Sequence, residues 1–140
     1  MPIRIFNCQK RVPMRFSAGS GFAKSCVAPL EKKLRLKKGV EYNIIFVDDG
    51  EITALNERFL SRSRPTDVIT FNYPGGSADI FISVETAKSN SVFYRSGFKE
   101  EIFRLIVHGV LHALGYCDYT QKDREKMWIK QEGLVKCIIS

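Results

Sequence analysis

The segment GFKEEIFRLIVHGVLHALGY constrains the fold most, because its residues from Ile102 to Leu114 are apolar on nearly every side of a helix. Glu100 and Glu101 lie in the predicted first turn, where their charges interact favourably with the helix dipole. Gly115 is placed to end the helix with a left-handed cap. A helix of this composition needs other elements around it, so the sequence predicts a central, buried helix.

The rest of the chain supplies elements that can cover this helix. Short apolar or alternating stretches predict four strands, PIRIF (2–6), YNIIFVDD (42–49), DVITF (67–71) and DIFIS (79–83). Helical periodicity predicts further helices near residues 20–37, 50–60, 84–91 and from 120 onward. The sequence therefore predicts an α/β (α+β-like) fold, in which a small mixed four-stranded sheet packs with about five helices. We expect one layered domain over residues 1–140.

Several local features refine this prediction. Pro29 is expected to kink or split the first helix, which Lys38-Gly39 would close. Phe59 is expected to face inward from the helix at 50–60, and Trp128 to be a core residue of the last helix. A Thr-x-x-Asp capping pattern at 120–123 is expected to begin that last helix.

Composition narrows the class of protein. The chain is 44% hydrophobic and 26% charged, which is typical of a globular protein in water. No apolar run is long enough to span a membrane, and the N-terminus does not resemble a secretory signal, so we expect a cytoplasmic protein. The four cysteines, Cys8, Cys26, Cys117 and Cys137, form no CxxC pair, which argues against a zinc ribbon or a thioredoxin-like motif.

Positive charge is concentrated at the N-terminal end. Residues 1–40 carry ten lysines and arginines against the single acid Glu31, a net +9, whereas the remaining residues carry 12 against 14, a net −2. This asymmetry favours a polyanionic partner, with nucleic acid ahead of a membrane surface. A solvated helix face with a basic terminus explains the same pattern and stays open as an alternative.

The only two histidines, His108 and His112, are four residues apart on the predicted central helix, so they project from the same face. After the helix ends at Gly115, Asp118 can return a carboxylate to that face. Two imidazoles and a carboxylate leave the fourth position of a tetrahedral zinc ion open for water, as in catalytic sites. The alternative is that both histidines are core residues bonded to the backbone. Gly109 occupies the position of the glutamate in the His-Glu-x-x-His peptidase motif, which argues against a peptidase.

Three segments resemble signatures of the YbeY family of bacterial metal-dependent endoribonucleases. HGVLHALGYCD (108–118) is similar to the family's His-Gly-x-Leu-His-x-x-Gly-Tyr-x-His signature. LNERFLSRSRPTDVITF (55–71) resembles a second signature, Leu-Asn…Pro-Thr-Asp-Val-x-Ser-Phe, and ADIFISVETAK (78–88) resembles the segment that follows it. The matches occur in the family's order and cover about residues 42–135.

This resemblance implies zinc-dependent cleavage of single-stranded RNA in ribosomal RNA maturation and ribosome quality control, with the ribosome or its proteins as further partners. It places His108 and His112 on the first two zinc ligands, and Asp118 on the third, where the family usually has histidine. A carboxylate is an accepted zinc ligand, although a set of two histidines and one carboxylate also suits manganese or iron. Cys117 is a second candidate for the third ligand.

The family's usual arginine aligns with Leu60, and a usual aspartate aligns with Ser63. Arg62 and Arg64 are therefore candidates for the cations that face RNA phosphates, with exposed loop arginines as the alternative. No residue stands out as a general base. Two other functions stay open, a non-catalytic ribosome-associated RNA-binding protein with a structural metal and a metallohydrolase of another class.

Overall fold

The computed structural model describes residues 2–14, 21–60 and 66–139. Its strands are β1 (Ile3–Asn7), β2 (Tyr42–Val47), β3 (Val68–Asn72) and β4 (Ala78–Ser83). Its α-helices are α1 (Ala28–Lys33), α2 (Asp49–Leu60), α3 (Val84–Phe93), α4 (Phe98–Ala113) and α5 (Gln121–Ile139). A π-helical turn over Ala23–Val27 leads directly into α1. The prediction of a mixed four-stranded sheet with about five helices is confirmed.

The sheet has the order β1-β2-β4-β3. The strands β1, β2 and β4 run parallel, and β3 pairs antiparallel with β4 at the edge. Ile44 of β2 is paired with Ile80 of β4, and both side chains are fully buried. Because side chains alternate along a strand, these residues point to one face of the sheet while Ile45 and Phe81 point to the other.

Apolar residues cover both faces of the sheet. The larger core contains Ile44 and Ile80 together with the buried face of α4. A smaller cluster on the opposite face is built around Val47, Ile52 and Ile69, with Ile52 contributed by α2. The central helix predicted from the sequence is α4, and nearly all of its residues from Glu101 to Leu111 are buried.

Gly109 allows α4 to lie directly on the sheet. A Cβ atom at this position would collide with Cγ2 of the fully buried Ile80, and its next neighbour would be Val68 Cγ2 at 3.4 Å. The hydroxyl of Thr70 in β3 donates a hydrogen bond to the Gly109 carbonyl over 3.3 Å. The sheet therefore leaves no room for a side chain at the position where the peptidase motif has its glutamate. Packing, as well as the sequence, argues against a peptidase.

The helix ends agree only in part with the predictions. Gly115 has φ of +101°, as the left-handed cap requires, and the Thr120 hydroxyl accepts a hydrogen bond from the Asp123 amide over 3.0 Å at the start of α5. The first helix, however, ends at Lys33 rather than near residue 37, because Arg35 takes a left-handed conformation with φ of +52°. Pro29 lies in the first turn of α1, where its missing N–H is tolerated.

Two residues assigned to the interior are exposed. Phe59 is 55% exposed, because the small cluster beneath α2 ends before its last turn. Its ring packs edge to face with Phe71, with centroids 5.3 Å apart, and lies beneath the Arg58 guanidinium. Trp128 is 63% exposed, because the buried positions of α5 start at Met127 and continue at Gln131. Among the described helices, none has the length and apolar character needed to cross a lipid bilayer.

Candidate metal centre

His108 and His112 project from the same face of α4, near its C-terminal end, and both are half-buried. Their Nε2 atoms are 3.1 Å apart, and the two rings meet nearly edge to face, with centroids 4.6 Å apart and planes inclined by 79°. The spacing of one helical turn thus brings one nitrogen of each imidazole to a common point.

The other ring nitrogens are held by oxygen atoms. Nδ1 of His108 lies 2.7 Å from Oε1 of Gln131, whose amide nitrogen donates to a Glu132 carboxylate oxygen over 3.0 Å. Because that carboxylate only accepts, the Gln131 amide is oriented with its oxygen toward His108. Nδ1 of His112 lies 3.1 Å from the carbonyl oxygen of Tyr116. Both Nδ1 atoms therefore carry a hydrogen and donate it.

With the hydrogen on Nδ1, the lone pairs of the two Nε2 atoms face each other. A proton can lie between them only if one ring becomes positively charged. Burial and, to a smaller extent, the neighbouring His108 lower the pKa of His112 and so disfavour this charge, although Asp118 and the Tyr116 carbonyl act in the opposite direction. Two nitrogens bound to one tetrahedral zinc ion are about 3.3 Å apart, close to the separation seen here. The arrangement fits a metal cation held by both Nε2 atoms.

Asp118 lies at the rim of this site. One carboxylate oxygen is 3.9 Å from Nε2 of His112, and the side chain is 54% exposed. Arg124 Nη1 donates to the Asp118 carbonyl over 3.2 Å and fixes the loop that follows Gly115. Cys117, the other candidate ligand, is partly buried in the same loop. Within the described residues, no group of three or more His, Cys, Asp or Glu side chains is assembled to hold an ion, so the third ligand stays a prediction.

The histidines lie in a cleft of about 760 Å³ between the end of α4 and the edge strand β3. The wall opposite the histidines is polar, because the hydroxyl, carboxylate and amide groups of one short stretch line it: Thr66, Asp67, Thr70 and Asn72. Asn56 of α2, which is 2% exposed, also lines the cleft. Arg62 and Arg64 lie outside the described residues.

A chain of hydrogen bonds runs from His108 along α5 to the other half of α4. Glu132, which accepts from Gln131, also receives two bonds from Arg104, at 2.9 and 3.0 Å. Burial alone would raise the pKa of Glu132, but the bonds from Arg104 and Gln131 outweigh it and lower that pKa. The Glu132 bond and a further bond to Glu101 raise the pKa of Arg104, against the effect of burial. Glu132 is thus held as an anion, which fixes Gln131 and through it the ring of His108.

Sequence reasoning missed Gln131 and the Tyr116 carbonyl as the groups that orient the histidines. Gln131 has a detectable signal, since it is a polar residue on the helical stripe that otherwise carries Met127, Leu134 and Val135. A polar residue on a buried stripe needs a hydrogen-bond partner. The Tyr116 carbonyl has no such signal, because a backbone group carries no sequence information.

Comparison with known proteins places these features in one family. The family model described as endoribonuclease YbeY matches residues 4–138. Several curated relatives carry the name endoribonuclease YbeY. One, from Elusimicrobium minutum, is 41% identical over 135 residues, covering 91% of this chain and 92% of the relative. Another, from Endomicrobium trichonymphae, is 34% identical over 117 residues, covering 82% of each chain.

The fold is shared with a solved structure. The solution structure of a Thermotoga maritima protein is similar to this chain with a TM-score of 0.65 and 28% identity, over 96% of this chain and 87% of that protein. The family model spans all of the residues that carry the signatures and line the cleft. The chain therefore belongs to the endoribonuclease YbeY family.

Proposed function

We propose that this chain is a metal-dependent endoribonuclease that cuts single-stranded RNA during ribosomal RNA maturation and ribosome quality control in the cytoplasm. Family membership supports the coarser part, an RNA-cleaving hydrolase. The observation that carries the metal dependence is the pair of Nε2 atoms 3.1 Å apart, both left as acceptors by the bonds at Nδ1.

His108 and His112 would hold the ion through Nε2, and Asp118 would provide the third ligand from the loop beyond α4. Zinc is the ion we favour, with manganese or iron also suited to this donor set. When bound, such an ion polarises a phosphoryl oxygen and lowers the pKa of a water molecule. The residues of the chain itself orient the rings, through Gln131 and the Tyr116 carbonyl, and present a polar wall across the cleft.

Electrostatic attraction of the RNA backbone falls to the basic N-terminal part of the chain and, as proposed from the sequence, to Arg62 and Arg64. The region that carries a net +9 includes a run of exposed cations in the last turn of α1 and just after it: Lys32, Lys33, Arg35, Lys37 and Lys38. Binding through such contacts releases counterions, so affinity for RNA should fall steeply as the salt concentration rises.

The first test is the metal content of protein purified without a histidine tag, together with cleavage of a single-stranded RNA oligonucleotide. We expect about one zinc ion per chain and metal-dependent cleavage. His112→Ala should lower both the zinc affinity and the cleavage rate by more than about 100-fold, since even a residue that only orients a ligand contributes 10- to 100-fold. Asp118→Ala tests the third ligand, and Lys130→Ala, at an exposed position of α5, is the control.

The outcomes separate the open functions. Bound zinc without cleavage would favour a non-catalytic RNA-binding protein with a structural metal. Cleavage of a peptide panel with none of RNA would favour a metallohydrolase of another class. If wild-type protein stays free of metal after zinc is added, His108 and His112 are structural residues whose nitrogens only form hydrogen bonds within the protein.

A further inference from the structure

Trp128 is a large aromatic side chain that the fold leaves exposed. It is the only tryptophan in the sequence, and 63% of it is accessible to solvent. Its neighbour Ile129 is 67% exposed. Packing of α5 does not use this indole, because the residues of α5 that are buried lie at Met127, Gln131 and farther along the helix.

The indole stands beside the candidate metal centre. A cavity of about 220 Å³ is bounded by the histidine, the loop aspartate and one face of α5: His108, Asp118, Arg124, Met127, Trp128 and Gln131. A second, more open groove, which Ile129 lines, lies on the other side of Trp128 and Arg124. The side of the indole toward His108 is therefore accessible, and its cavity shares His108 and Asp118 with the cleft.

Arg124 supplies a cation next to this surface. It precedes Trp128 by one helical turn, is exposed, and lines the same cavity. Its Nη1 donates to the Asp118 carbonyl over 3.2 Å, which holds the side chain toward the metal centre. That bond uses one of the five N–H donors of a guanidinium group, so others are left for a ligand.

We propose that Trp128 and Arg124 form a nucleotide-binding subsite adjoining the metal centre. One base of a single-stranded RNA stacks on the indole, and the guanidinium binds a phosphate of the same strand. This inference rests on the proposed function, because RNA cleavage at the metal centre would place the scissile phosphate next to the subsite. An aromatic surface beside a cation is the combination that binds single strands without reading their sequence. The small cavity, shared with His108 and Asp118, suits one base better than a folded protein partner.

The single tryptophan gives a direct test that does not depend on cleavage. A short RNA with 2′-O-methyl groups is titrated into metal-free protein while the tryptophan emission is recorded, and a fluorescent label on the same RNA reports binding. We expect saturable quenching of Trp128 that follows the binding curve, and a weaker complex for Arg124→Ala. Binding without any change in tryptophan emission would overturn the subsite.

Variants separate stacking from general surface effects. Trp128→Ala should weaken RNA binding by about 5- to 150-fold, the range that corresponds to loss of one stacked base. Trp128→Phe should restore much of it, and Ile129→Ala, on the side away from His108, should change it less than about twofold. Zinc content should stay unchanged in all three.

Failure of the subsite and failure of the nuclease are distinguishable. If RNA quenches the tryptophan emission of the wild-type protein but is never cleaved by it, the subsite stands and the proposed function fails. If RNA is cleaved but Trp128→Ala keeps wild-type affinity, the subsite is wrong and the exposed indole belongs to another surface, such as one for a protein partner.

Discussion

The two ends of α4 carry polar residues that are satisfied in opposite ways. Near the N-terminal end, Arg104 donates to Glu101 over 2.8 Å and to Glu132 over 2.9 and 3.0 Å, and Glu100 lies 3.4 Å away. Near the C-terminal end, His108 and His112 turn their Nε2 lone pairs toward each other. The first group pairs donors with acceptors inside the chain, whereas the second brings two acceptors together.

This difference separates a structural cluster from a binding site. Glu101 is only 5% exposed, so its charge is tolerable because Arg104 compensates it. Among the described residues, the two facing Nε2 atoms have no donor between them, and under the proposed function a metal cation would complete them. Glu132 and Gln131 connect the two ends, because one accepts from Arg104 and the other accepts from His108. The satisfied end, around Arg104, therefore helps to hold His108 at the other end in position.

The largest effect on stability is expected at the satisfied end. Arg104→Met keeps most of the apolar stem but leaves the buried Glu101 without its partner, and we expect a loss of about 3 kcal/mol in the free energy of unfolding. Urea unfolding followed by circular dichroism measures it. Glu100→Gln, which changes a more exposed partner at 3.4 Å, should cost less than about 1 kcal/mol.

The same measurement can contradict the comparison. In metal-free protein, His112→Ala should change the free energy of unfolding by less than about 1 kcal/mol, because the pair contributes little to the fold without an ion. If His112→Ala destabilises the metal-free protein as much as Arg104→Met does, the two ends are alike, and the histidines serve the core.

Apolar patterning was enough to predict most of the fold. The composition of α4, the short apolar stretches of β2 and β4, and the position of Gly115 were all interpreted by local rules, and each agrees with the structure. The errors at Phe59 and Trp128 have one origin. Periodicity identifies the side of a helix that is apolar, but it does not measure how far the neighbouring layer extends.

The candidate site was predictable where spacing on one helix determines it. His108 and His112 had to share a face, and they do. The proton positions were not predictable, because they depend on Gln131 from another helix and on a backbone carbonyl. The polar wall formed by β3 and the two residues before it was also beyond local patterns, since it lines the cleft only after β3 pairs with β4 at the sheet edge.

A smaller effect is expected between the two ends, where α4 touches the sheet. Gly109→Ala introduces a methyl group against the fully buried Ile80, and we expect destabilisation of about 1–3 kcal/mol. Gly133→Ala is the matched control, because a Cβ atom there meets nothing within 4 Å, and it should stabilise α5 by about 0.5–1 kcal/mol. Equal effects in urea unfolding would mean that α4 can move off the sheet without cost.

The smallest expected effect tests the link between the ends. Gln131→Ala removes the acceptor that orients His108, so its ring can turn and Nε2 can gain a hydrogen in place of its lone pair. We expect about a tenfold loss of zinc affinity, at the low end for residues that orient a ligand, because water can replace the amide oxygen at this half-buried ring. Calorimetric zinc titration measures it, with Lys130→Ala as the control. Gln131→Glu keeps an acceptor for His108 but loses the donor to Glu132 and places two carboxylates together, so it should also bind zinc less tightly than wild type. If Gln131→Ala binds zinc as tightly as wild type, His108 is oriented by α4 alone, and the connection through Glu132 to Arg104 contributes only to stability.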